Sequence, residues 1–211
     1  MESFWKTIVS ILIGWGLGLV SPPIVELIQR RRRRREIRQG LIIEFEGLRL
    51  TLAALTYQLA SSRHALNREL IEFIEPMFRS DKAFPETTAT ADALRSLLGL
   101  PDDELGSRLR KQGPIPISFK KFSLPYMMTH LSSLSLFSEE FQRLALKTSS
   151  RLQIINQEIE FASFFFQKTF DSTSESMHET LVENLGRSYE NLLNLSRPLL
   201  DDLNALLKLK L

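Results

Sequence analysis

Apolar side chains recur every three or four residues over most of this chain, the spacing of one face of an α-helix. The first such stripe is Ile37, Leu41, Phe45, Leu48, Leu52, Leu55, Leu59, Leu66, Leu70, Phe73 and Met77. It predicts a helix over 37–78, about 60 Å long at 1.5 Å per residue, with Pro76 marking its end. Gly40 and Gly47 weaken its start, each by about 1 kcal/mol relative to alanine. A second stripe, Leu134, Phe137, Phe141, Leu144, Leu152, Ile155, Ile159, Ala162 and Phe166, predicts a helix from about Pro125 to Lys168. A third runs through Met177, Leu181, Leu185, Leu192, Leu195, Leu199, Leu203 and Leu206, with a kink expected at Pro198. Ser172 and Glu175 have the spacing of a capping box at its start.

Between the first two stripes, residues 79–117 lose the periodicity. Four prolines and three glycines break it, leaving short helices at Thr90–Leu98 and after Pro101-Asp-Asp-Glu. No stretch alternates as a strand would. The expected fold is all-α: an antiparallel bundle over residues 39–211, with a short, loop-rich helical insertion at 79–117.

The N-terminal region is apolar without a polar face. No charge occurs from Thr7 to Val25, and extension to Ile28 gives the roughly 20 residues that cross a hydrocarbon core. Residues 1–29 are therefore expected to form a single transmembrane helix, retained as an anchor. A cleaved signal peptide would require a basic start and a small-residue cleavage site, and neither is seen. Trp5 lies where an interfacial aromatic belongs, whereas Trp15 is mid-span.

Charge sharpens that picture. Arg30, Arg31, Arg32, Arg33, Arg34 and Arg35, with Arg38 and Glu36, put +6 into nine residues of a chain whose net charge is +2. A basic run this close to an apolar span suits anionic lipid, at about 1 kcal/mol per arginine, better than a nucleic acid. Residues 30–38 are thus expected at the membrane surface. The positive-inside rule places the N-terminus outside and the domain after Arg30 on the cytoplasmic side of the plasma (inner) membrane. A ring of charge at a pore mouth is a further reading, available if spans associate.

Within the span, Ser10, Gly14 and Gly18 share one helix face. Small residues in register let membrane helices approach closely, so self-association into a homo-oligomer is expected there. Pro22 and Pro23 then predict a kink or short break, either a hinge or the exit from the bilayer. In the second stripe, Phe161, Phe164, Phe165, Phe166 and Phe170 are too dense for one face. Core packing accounts for Phe166 and Phe170, and the surplus is expected at an oligomer interface or a binding surface.

Catalytic chemistry is not apparent. The chain has no cysteine, and its three histidines, His64, His130 and His178, fall on separate expected helices without a second ligand one turn away. Phosphate-binding loops and nucleophile elbows are missing. Asp102-Asp103, Glu139-Glu140 and Asp201-Asp202 are adjacent pairs that diverge on a helix, so they are expected as solvated or capping charges. The serines near 132–138 and 148–150 lack a neighbouring base. No enzyme activity, cofactor or metal is expected, and no nucleic acid partner.

The layout of Thr7–Ile28, Arg30–Arg35 and then helices resembles the small single-span effectors of bacterial anti-phage defence. That resemblance implies a helical cytoplasmic domain that senses a signal, and spans that open or disrupt the membrane. The alternative is a membrane-tethered module that recruits a cytoplasmic protein through its bundle.

Overall fold

In the computed structural model the backbone is described for residues 2–80, 85–111, 117, 120–171 and 174–209. Among these, side chains are described for all but residues 2–4, 6–23, 80, 85, 86, 110 and 111. The described residues form helices and no strand: α1 (Glu2–Ser62), α2 (Arg68–Ser80), α3 (Pro85–Leu98), α4 (Asp102–Lys111), α5 (Pro125–Thr129), a 3-10 helix (Leu131–Leu136), α6 (Glu139–Asp171) and α7 (Glu175–Lys208). The all-α expectation holds.

Helix α1 is a single unbroken helix of 61 residues. It passes through Pro22 and Pro23, where the sequence predicted an interruption, and it ends at Ser62 instead of Pro76. The stop is local chemistry. Ala65 donates to the Ala60 carbonyl at 2.8 Å and His64 to that of Ser61 at 3.2 Å, the paired bonds of a Schellman motif. His64 takes the left-handed position (φ 52°) that glycine usually fills. Asn67 then starts α2, its side-chain oxygen accepting from the Leu70 amide at 2.9 Å. Pro76 lies inside α2, and Pro198 inside α7.

The core is a three-helix arrangement of α1 beyond residue 36, α6 and α7. Its buried stripe on α1 is Ile37, Leu41, Phe45, Leu48, Leu52, Leu55 and Leu59, as the periodicity required. Rings of Phe45 and Phe141 meet edge-on at 6.4 Å, and Arg49 reaches Asn204. The guanidinium of Arg63 lies over Gly186. Residue numbers on α7 thus fall as those on α1 rise, so these two are antiparallel. Helix α6, antiparallel to α7 across their turn, runs parallel to α1. The excursion makes this possible, because it carries the chain back to where α1 enters the bundle.

Polar side chains fix that excursion. Arg68 donates to the Leu98 and Leu100 carbonyls (2.8 and 2.6 Å) and to Asp102 (2.6 Å), tying the end of α3 to the start of α4. Asn156 of α6 makes two bonds with the Phe122 backbone, 2.9 and 2.8 Å, and Lys121 pairs with Glu160. The chain then descends to α5. The helix expected over 125–168 is in fact three elements, because the chain bends at His130 and again at Phe137. Ser174 caps α7 by accepting from Met177, a role the sequence reading gave to Ser172, which lies outside the described residues.

Among the described residues, no helix is long and apolar enough to cross a membrane. The expected span, Thr7–Val25, has helical backbone, but its side chains lie outside the described residues except at Ile24 and Val25.

Candidate functional site

Six consecutive residues on a helix advance about 500° around its axis, so a run of six covers every side. Arg30, Arg31, Arg32, Arg33, Arg34 and Arg35 are all exposed and form a complete collar around α1 just before it enters the bundle. Immediately above them Ile24, Val25, Leu27 and Ile28 are about half exposed along one side of the helix, with Glu26 and Gln29 on the other. Below, Ile37 is buried. The polarity of the helix surface therefore changes twice within fifteen residues.

One side of the collar meets the α5 and 3-10 segment. Arg30 and Arg33, with Glu26 and Gln29, face Ser132, Ser133 and Ser135 across an open cleft of about 470 Å³. Arg34 sits over the Phe137 ring, 5.7 Å from its centroid, and Arg32 pairs with Glu36 at 3.0 Å. On the adjoining side Arg31, Arg34, Arg35 and Arg38 line a second groove of about 300 Å³. The Arg38 Nε is buried without a hydrogen-bond partner. Guanidinium groups bind phosphate oxygens through paired donors, and serine hydroxyls add more, so the collar is chemically an anion surface.

The segment that meets the collar is held by α1 itself. Both carboxylate oxygens of Glu44 accept from the start of α5, from the Tyr126 amide at 2.7 Å and the Met127 amide at 2.8 Å. The Tyr126 ring lies against Gly40, where an added Cβ would fall 2.2 Å from Cζ. His130 stacks on the same ring at 4.2 Å. Gly40, read from sequence as a weakness in the helix, is the gap that seats Tyr126. No sequence signal marks Glu44 or Tyr126, since their partners are over eighty residues away.

Other expected residues separate. Ser10, Gly14, Gly18, Pro22 and Pro23 share α1 with the collar, and their side chains lie outside the described residues. His64 is in the turn after α1, His130 at the end of α5 and His178 on α7, and the described residues hold no cluster able to bind a metal ion. Asp202 differs from the solvated charge expected of it. It is buried and bonded to Lys147 (2.8 Å) and Arg151 (2.6 Å), locking α6 to α7. Comparison with protein-family models, curated proteins and solved structures finds no match to this chain.

Proposed function

We propose that this chain is a single-pass membrane effector whose span is coupled rigidly to a cytoplasmic sensing bundle. The observation that carries the reading is the unbroken helix α1. A tether needs only a flexible linker. Here the apolar segment, the arginine collar and the core stripe from Ile37 to Leu59 occupy one helix, so a shift of α1 within the bundle displaces the segment above the collar. The collar would rest on anionic headgroups, with Ile24, Val25, Leu27 and Ile28 at the bilayer boundary. Homo-oligomers would form along Ser10, Gly14 and Gly18, converging arginine collars at a cytoplasmic mouth that favours anions.

The deciding experiment replaces residues 7–25 with a polyleucine span in the full chain. Loss of membrane conductance or permeabilisation, with membrane localisation kept, is the expected result. Unchanged function with the foreign span would make the chain a tethered recruitment module instead.

A further inference from the structure

The stripe of α1 that meets the α5 and 3-10 segment climbs in steps of three and four through Glu44, Gly40, Ile37, Arg33, Arg30 and Glu26. Its lower half is committed: Glu44 holds the start of α5, Gly40 seats Tyr126, and Ile37 is buried. Its upper half faces the 3-10 helix across open space. Arg30, Arg33 and Glu26 form one wall of the cleft of about 470 Å³, and Ser132, Ser133 and Ser135 the other. That volume falls within the roughly 300–1,000 Å³ typical of small-molecule sites.

The polar groups of the cleft lack partners of their own. Arg32 pairs with Glu36, but neither Arg30 nor Arg33 forms an ion pair among the described residues. Ser135 donates to the Ser132 carbonyl at 3.0 Å, whereas the hydroxyls of Ser132 and Ser133 make no hydrogen bond among the described residues. Ser133 is only 7% exposed. A hydroxyl buried that far is normally bonded, so one left open on a cleft marks the place of a ligand atom.

Donors therefore face each other: two guanidinium forks from α1 and two hydroxyls from the 3-10 helix. A planar carboxylate offers two oxygens, which a single fork occupies. A tetrahedral phosphate presents oxygens to both walls at once. Glu26 repels a bare anion, but its carboxylate accepts from a hydroxyl that the ligand carries.

We propose that this cleft binds a phosphate group whose ligand also bears a hydroxyl, as glycerol phosphate does. Arg30 and Arg33 hold the phosphate oxygens, Ser132 and Ser133 donate from the facing wall, and Glu26 accepts from the ligand hydroxyl. The ligand bridges α1 to the bundle at the foot of the apolar segment. A lipid headgroup and a free glycerol phosphate present the same chemistry. The assignment rests on the reading of the bundle as a sensor and names what it senses.

The test follows the midpoint of thermal unfolding of the full chain, which rises with any ligand that binds the folded state alone. One arm adds glycerol phosphate or sulfate, at equal ionic strength, to the chain in nonionic detergent. The other compares lipid nanodiscs containing phosphatidylglycerol with discs of equal charge containing phosphatidylmethanol, which lacks the hydroxyl. A higher midpoint with the hydroxyl-bearing phosphate is expected in at least one arm, and the arm that responds identifies the source. Ser133→Ala, which alters no charge, and Arg30→Lys with Arg33→Lys, which keeps it, should each remove at least half of the difference. Glu26→Ala should erase the preference, whereas an undirected collar of charge would bind every anion more tightly without that carboxylate. No difference in either arm would overturn the proposal, as would a difference that survives both Ser133→Ala and the lysine pair. Conductance is not among these readouts, so the phosphate site can fail while the polyleucine exchange still supports the effector, and the reverse.

Discussion

Gly40 and Tyr126 show how one missing methyl group can be structural. An alanine Cβ would fall 2.2 Å from the tyrosine Cζ, well inside van der Waals contact, so Gly40→Ala must displace a side chain that also stacks on His130. Overpacking of this kind costs about 1–3 kcal/mol, more than the roughly 1 kcal/mol that alanine gains in a helix. Denaturant unfolding should therefore show a net loss, and the same change in a Tyr126→Ala background should be neutral or stabilising. A loss of equal size in both backgrounds would refute the contact. Asp202 is the second case. Its partners Lys147 and Arg151 are 45% and 35% exposed, so they can recover water when the carboxylate is removed. Asp202→Ala is expected to cost about 1–3 kcal/mol, below the 3–5 kcal/mol of a fully buried pair. Tyr189 gives a pH signature: burial raises its phenol above the ordinary value of 10, with Arg63 acting oppositely. A raised folded value favours the neutral form, so its contribution is complete below about pH 10 and falls as pH rises through the folded value. Tyr189→Phe should flatten that alkaline decline in unfolding free energy.

At the scale of elements, a local turn decides where α1 ends. The Schellman turn at His64 halts α1 short of the α6–α7 tip, and α2 turns back toward Arg197, which pairs with Glu69 and lies over Phe73. A non-glycine residue in left-handed backbone costs about 1–2 kcal/mol, part of which glycine loses again through chain entropy. His64→Gly should thus stabilise by about 0.5–1 kcal/mol in thermal or denaturant unfolding. If it destabilises, the histidine side chain contributes a contact that outweighs the backbone. Phe166 and Phe170 continue the α6 core stripe by register, yet they are exposed, beyond its last buried residue, Ala162.

For the whole molecule, the collar and the aromatic tip lie at opposite ends of one bundle. The end of α1 stands about 40 Å from the collar, given the 27 residues from Glu36 to Ser62 at 1.5 Å each. A reporter at the C-terminus should be active only on the cytoplasmic side, and changing Arg30 to Arg35 to glutamine should weaken orientation and vesicle binding together. Activity of that reporter solely outside would reverse the proposed topology.

Sequence by itself determined the class of the fold and the faces of its long helices, because period and burial are the same physics: Ile37 to Leu59, Phe141 to Ala162 and Leu192 to Leu206 had to face inward together. It also determined the contiguity of the arginines, which any helix turns into a collar. Tertiary structure decided where helices stop and which partners long-range polar groups find. The turn at His64 was illegible because the residue in the glycine position is not glycine, although Asn67 was a cap in plain view. Asp202 looked solvated because its partners are about fifty residues away on α6, and Glu44 could not be seen as the cap of α5 from across the chain. Register along a helix is local, but whether a neighbour is present to cover it is not. That is why Phe166 and Phe170 could be placed on the right stripe and still be assigned to a core that ends before them.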